Sequence, residues 1–173
     1  MRRTLVIVAV VVSIGLVAGP ASAKPKLKLT SPAFVAGEMI PDGFTCDGAN
    51  ASPPLRWKGV PKGAVELAIT LEDPDAPGGT FTHWVAWGID PSAGSLPEEV
   101  LPAEVVEGDP SYFGPCPPSG QQHRYRFTLY AVDEQITLDA GVANIDDLRA
   151  AIKGTVTAKA KLVALYERDS SVA

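Results

Sequence analysis

The chain has 173 residues, 46% of them hydrophobic and 20% charged, with 15 Lys+Arg against 20 Asp+Glu and a formal net charge of −5. This acid-rich balance excludes nucleic-acid binding through the phosphate backbone, which needs clustered Lys/Arg, and it argues against adsorption to anionic lipid headgroups. At this length the chain forms one domain with a sizeable core.

The first element is a targeting segment. Arg2 and Arg3 form a basic start, residues 5–18 are an almost unbroken apolar run, and Ala21-Ser22-Ala23 is a small-x-small cleavage signal before Lys24-Pro25-Lys26. Residues 1–23 therefore read as a secretory signal peptide cleaved after Ala23. A membrane anchor is the alternative, but a spanning helix needs about 20 apolar residues, and no cysteine stands at the cleavage point to accept a lipid. The mature domain is expected at residues 24–173, with 13 Lys+Arg against 20 Asp+Glu. It is expected to be secreted or periplasmic, without a transmembrane anchor.

Sixteen glycines and sixteen prolines separate short apolar runs, without repeats or low-complexity tracts. This spacing predicts a mostly β domain with many turns. Residues 26–30 read as a short strand, 41–43 as a turn, 46–54 as a loop and 55–57 as a second strand. Residues 65–73 are the clearest strand: Val65, Leu67, Ile69 and Leu71 alternate with Glu66, Ala68 and Thr70, and the same parity carries Asp73 onto the apolar face. Residues 83–89 are the next strand, with His83, Val85, Trp87 and Ile89 on one face. The Pro-, Gly- and Glu-rich stretch 92–109 reads as a long surface loop. Residues 124–132 form a third strong strand with Tyr125, Phe127, Leu129 and Ala131 on one face and His123 at its entry. Residues 145–153 have helical spacing behind a capping Asn144, and 159–168 read as a final strand rather than a helix.

The chain has two histidines. Asp73, His83 and His123 project from strand ends on the sides that otherwise carry core residues, each beside a Gly/Pro-rich loop. Loops at strand ends are the usual place for a pocket in a β domain. Either histidine can donate a hydrogen bond or become positive. The loops DAPGG and GPCPPSG offer backbone N–H groups, except at proline. Donors converging in an apolar cavity suit a phosphate or carboxylate, with Asp73 fixing a histidine's tautomer. Each piece also has a plainer use: Asp73 and Asp75 as turn residues, a histidine as an ordinary strand-start residue, and Trp84, Trp87 and Tyr125 as packing.

Cys46 and Cys116 are the two cysteines. An oxidising compartment allows a disulfide between them, closing a loop of roughly 70 residues and worth about 4 kcal/mol on the chain-entropy account. Two buried free thiols are the alternative. Nucleophilic catalysis is not favoured. Cys116 is near His123 in sequence but sits between two prolines, and there is no G-x-S-x-G elbow. A zinc site would have to use Asp73, His83 and His123, without the usual short ligand spacing. No metal, no cofactor and no enzymatic role is expected.

Three stretches together resemble the phosphatidylethanolamine-binding protein (PEBP) family: TCDGANASPPLRW, LEDPDAPGGTFTHWVAWGI and GPCPPSGQQHRYRFTLYAVD, followed by KLVALYER. The resemblance is to the bacterial branch, often described as Raf-kinase-inhibitor-like, and spans residues 29–168. It implies a large central antiparallel β-sheet packed by a smaller sheet, short helices toward the C-terminus, and a small pocket for anions such as phosphate or a phosphorylated headgroup. Residue by residue, Asp73 and Asp75 match the family's DPD aspartates and His83 the histidine after the Gly-rich turn. Gly114 opens the next loop, Cys116, Pro117 and Pro118 form its wall, and His123 and Tyr125 match the HRY pair. Before GPCPP the chain reads VVEGDPSYF, shorter than the corresponding segment of bacterial relatives, and the longer eukaryotic C-terminal extension is missing. The expected function is an exported binding protein with a small-anion pocket that modulates a protein partner. An inhibitor of a protease or signalling protein acting through its surface is the alternative, and a His/Asp hydrolase the third reading. A homodimer is compatible with the sequence.

Overall fold

The computed structural model describes residues 26–169, and the signal-peptide reading at 1–23 lies outside them. Eight strands and one α-helix follow in chain order: β1 (Lys28–Thr30), β2 (Leu55–Lys58), β3 (Glu66–Asp73), β4 (Phe81–Ile89), β5 (Ser95–Leu96), β6 (Val106–Glu107), β7 (Gln122–Val132), α1 (Ile145–Ala151) and β8 (Val156–Glu167). All named pairings are antiparallel. The larger sheet has the order β6-β4-β3-β7-β8 and the smaller β1-β2-β5. The fold is thus mostly β, a large sheet packed by a small one, as the residue pattern and the resemblance implied.

Two cores flank the large sheet. Between the sheets, Leu29, Leu55, Trp57 and Leu96 of the small sheet meet Leu67, Ile69, Leu71, Trp84, Phe127 and Leu129 of the large one. On the opposite face, Ala68, Val85, Trp87, Tyr130 and Val132 pack against Leu148 and Ile152 of the helical segment. This second layer is why β3 is buried at every position. Its buried carboxylates have specific partners. Glu66 accepts from the backbone N–H groups of Gly88 and Ile136, and Glu72 pairs with Arg126 and Arg149. The Glu72–Arg149 pair ties α1 to the sheet. Asn144 caps α1 with a complete capping box through Asp147, which satisfies N–H groups that a helix start otherwise leaves orphaned.

Several boundaries differ from the sequence reading. Residues 92–109 are not a pure loop: β5 and β6 lie inside them as two-residue edge strands, too short for alternation to register. Residues 42–44 form a 3₁₀ turn rather than a plain turn. Strand β4 starts two residues before His83, α1 ends at Ala151, and β8 begins three residues early, at Val156. Both described sheets and both described cores lie within residues 26–169, so a chain starting at Lys24 contains all of these elements.

Candidate functional site

Antiparallel pairing brings the end of β3, the start of β4, the start of β7 and the end of β8 to one end of the large sheet. A cleft of about 370 Å³ opens there, lined by Asp73, His83, Cys116, Pro117, His123 and Arg168 together with Ala76, Pro77, Phe81, Phe113 and Pro118.

Asp73 and His123 reach the cleft by simple alternation, at the same parity as Leu71 and Phe127. His83 arrives differently. Strand β3 pairs Leu71 with Trp84 but Glu72 with Thr82, so His83 is an extra residue without a partner on β3. Further along β4, Trp84 and Ala86 point into the core between the sheets, while Val85 and Trp87 point to the opposite core. Strict alternation would place His83 with Val85 and Trp87, away from Asp73. The bulge turns it back onto the cleft side, a known way for one inserted residue to re-aim a side chain. A second slip, between Leu67 and Ile69, falls at Gly88, whose φ of 74° suits a bulge. It moves Ile89 into the core with Trp84 and Ala86. The expected shared face of His83, Val85, Trp87 and Ile89 is therefore broken at both ends.

Each histidine has one ring nitrogen committed. His123 Nδ1 lies 2.7 Å from Asp73 Oδ2, both side chains being almost fully buried. Asp73 Oδ1 accepts the Asp75 N–H at 2.8 Å. His83 Nδ1 lies 2.8 Å from the carbonyl oxygen of Phe113. A carbonyl only accepts, so His83 carries its proton on Nδ1 and leaves Nε2 without a proton when neutral. Burial pushes the His83 pKa below its ordinary 6.5, against the opposing pull of the Phe113 carbonyl and Asp73. Its ring is stacked on Phe113 (5.6 Å between centroids) and meets the edges of Phe81 (4.8 Å) and Tyr125 (5.3 Å). His123 Nε2 has one long contact, 3.5 Å to Gln121 Oε1.

The remaining expected residues divide into supports and bystanders. Tyr125 is fully buried beneath His83 and does not line the cleft. Burial raises its hydroxyl pKa strongly. Asp73 and the Cys116 backbone stand near enough to influence that hydroxyl, yet neither makes a hydrogen bond of good geometry with it. Asp75 turns outward to Arg124, which binds both its oxygens through Nε and Nη2, and its carboxyl is held down at about 2. Gly114 does not line the cleft. Its N–H donates to Asn50 Oδ1 at 2.7 Å, and a Cβ there would lie 2.6 Å from the Phe44 carbonyl oxygen. Cys116 is joined to Cys46 as a disulfide, so the cleft wall is cross-linked and Cys116 has no free thiol.

Phe81, Phe113 and Arg168 were not singled out from sequence. Phe81 and Phe113 are exposed aromatics at the cleft mouth, and the SYF run just before GPC was the available signal for the second. Arg168 brings a positive charge, held by Asp47 through Nε and Nη2 at 2.8–3.0 Å. Asp47 sits next to Cys46, so the disulfide and this ion pair fix the same wall. Among the described residues, no group of three His, Cys, Asp or Glu stands close enough to hold a metal ion.

Comparison with known proteins places this architecture. A family model described as phosphatidylethanolamine-binding protein matches residues 30–167. The chain belongs to the phosphatidylethanolamine-binding protein family. It is 45% identical over 152 residues to a UPF0098 protein of Methanothermobacter thermautotrophicus, covering 82% of this chain and 99% of that protein. It is 42% identical over 154 residues to LppC of Mycobacterium tuberculosis, named as a lipoprotein, covering 86% of this chain and 76% of that protein. Among solved structures, the PEBP homologue CT736 of Chlamydia trachomatis superposes with a TM-score of 0.78 at 34% identity, over 84% of this chain and 99% of that one. YbcL of E. coli, described as a new member of the mammalian PEBP family, gives 0.76 at 28% identity, over 82% and 98%. The PEBP-family match runs from β1 to the last residue of β8, so every strand that shapes the cleft lies inside it. Among the described residues no helix is long and apolar enough to cross a membrane.

Proposed function

We propose that this PEBP-family protein is an exported, non-enzymatic binding protein whose cleft takes a small phosphorylated anion of headgroup size. The observation that carries the reading is the paired commitment of Nδ1 on His83 and His123. It leaves the two Nε2 atoms to meet a ligand in a cleft walled by Pro117, Pro118 and the disulfide. A neutral Nε2 accepts a hydrogen bond from a protonated phosphate oxygen. A protonated one donates to an unprotonated oxygen. Phosphate monoesters have a second pKa near 6, so such a ligand offers both protonated and unprotonated oxygens near neutral pH. The rim supports the same class. Phe81 and Phe113 add apolar surface to the lining, and Arg168 adds a cation.

Export is supported by the segment 1–23, by the disulfide, which persists in oxidising compartments, and by the lipoprotein name of the LppC relative. A non-enzymatic role is supported by the loss of Cys116 as a nucleophile. The test is isothermal titration of the chain from Lys24 with inorganic phosphate and with phosphoethanolamine. His83→Ala is expected to weaken both by at least tenfold while circular dichroism stays unchanged. His123→Gln is expected to do the same without leaving Asp73 bare. Affinity unchanged in both variants would sink the reading.

A further inference from the structure

We propose a second interaction surface, at the opposite end of the sandwich from the cleft: a lysine-rich face that docks on an anionic lipid bilayer. It stands independently of the function proposed for the cleft. Lys26, Lys28, Lys58, Lys62, Lys159 and Lys161 are all exposed and gather where β1, the turn after β2 and the first half of β8 meet. Lys28 lies directly across from Lys58 in the β1–β2 ladder. Like charges in that position destabilise a sheet, and among the described ion pairs neither lysine is paired with an acid. The described ion pairs use arginine or histidine as the cation, never lysine. Three surface clefts at this end are lined by these lysines and Arg56, and not one Asp or Glu lines any of them. In a chain with an excess of acids this is charge segregation, which the net charge averages away.

Two observations favour a bilayer over a soluble anion. The largest of these clefts, about 840 Å³, has Leu27, Val60, Pro61 and Ala158 inside a rim of Lys26, Lys62 and Lys159. That is the lining of a site for an amphiphile, apolar within and cationic at the edge. Val65 and Val156 lie exposed at the same end of the large sheet. Lys159 and Arg168 are nine positions apart along and just beyond β8, about 30 Å of extended chain. Docking here leaves the anion cleft facing water.

The experiment is co-sedimentation of the chain from Lys24 with vesicles of phosphatidylcholine alone and of phosphatidylcholine with an equal part of phosphatidylglycerol. Binding is expected only to the anionic vesicles at 50 mM salt, with release at 300 mM. Each lysine near an anionic surface contributes roughly fivefold to partitioning. The variant K58E/K62E/K159E is therefore expected to lose at least about a hundredfold, with K58Q/K62Q/K159Q intermediate and His83→Ala unchanged. Equal binding to both vesicle types overturns the proposal, as does undiminished binding by the glutamate variant when circular dichroism shows it folded. Loss of binding in His83→Ala would assign the lipid contact to the cleft. Retention on heparin without vesicle binding would assign the face to a soluble polyanion. Either outcome also overturns it.

Discussion

Cutting the Cys46–Cys116 disulfide tests how the cleft wall is held. The bond closes a loop with a sequence separation of 70. On the chain-entropy account, that loop removes about 4 kcal/mol of disorder from the unfolded chain at 25 °C. For a domain near 150 residues each kcal/mol moves the melting midpoint by roughly 2–4 °C, so reduction should lower it by about 8–16 °C. The fold should survive, because neither hydrophobic core includes a cysteine. The local effect should be larger. The Cys46 N–H donates to the Pro115 carbonyl at 3.1 Å, and Asp47 holds Arg168 beside the same strand of wall. With the covalent link gone, those contacts must order both loops unaided, and phosphate affinity should fall more than stability does. The assay is calorimetry of the chain from Lys24 with and without a phosphine reductant, thiols being counted, followed by phosphate titration at 20 °C. A midpoint that moves by less than about 3 °C in fully reduced protein would refute the loop-entropy argument. An unchanged phosphate affinity would refute the claim that the bond orders the wall.

Other perturbations follow from single contacts. Gly114→Ala puts a Cβ 2.6 Å from the Phe44 carbonyl oxygen and 2.8 Å from Thr45 Cα, a backbone clash expected to cost about 1–3 kcal/mol; urea unfolding measures it. Because burial lowers the His83 pKa below 6.5, the unfolded chain binds more protons than the folded one just below that value. The contribution of this group to stability is therefore complete above pH 6.5 and lost as the pH falls through the folded value; His83→Gln should flatten that limb of a melting-point-versus-pH curve. Asp75, held down to about 2 by Arg124, adds stability above pH 3.8 that disappears toward pH 2. Asp75→Asn should remove this acid limb alone, leaving phosphate affinity near its original value because the side chain does not line the cleft.

Much of this arrangement was legible because it follows short-range rules. Period-two patterning located β3 and β7, and Asn144 marked the start of α1. Asp73 and His123 converge because they share the parity of core residues on paired strands. The rest depends on contacts that patterning does not encode. Asp75 looks like a partner of Asp73 in the DPD motif, yet a backbone turn gives its carboxylate to Arg124, 49 residues away. Arg168 follows a strand as an ordinary charged terminus until Asp47 draws it to the cleft. The lysine face was hidden because its members come from three separate segments and sum to a minority charge.

The bulge at His83 has a consequence for how relatives are compared. Its aim into the cleft is set by the count of residues between Glu72 and Trp84, not by the letter H in the THW triplet. A relative could conserve every letter of both motifs and lose the site through one deletion in the intervening turn, where gaps in an alignment look harmless. Another could change the turn's composition freely at constant length and keep it. Motif identity and spacing are therefore separate heritable characters in this fold, and the spacing is the one that decides which layer of the protein receives the histidine.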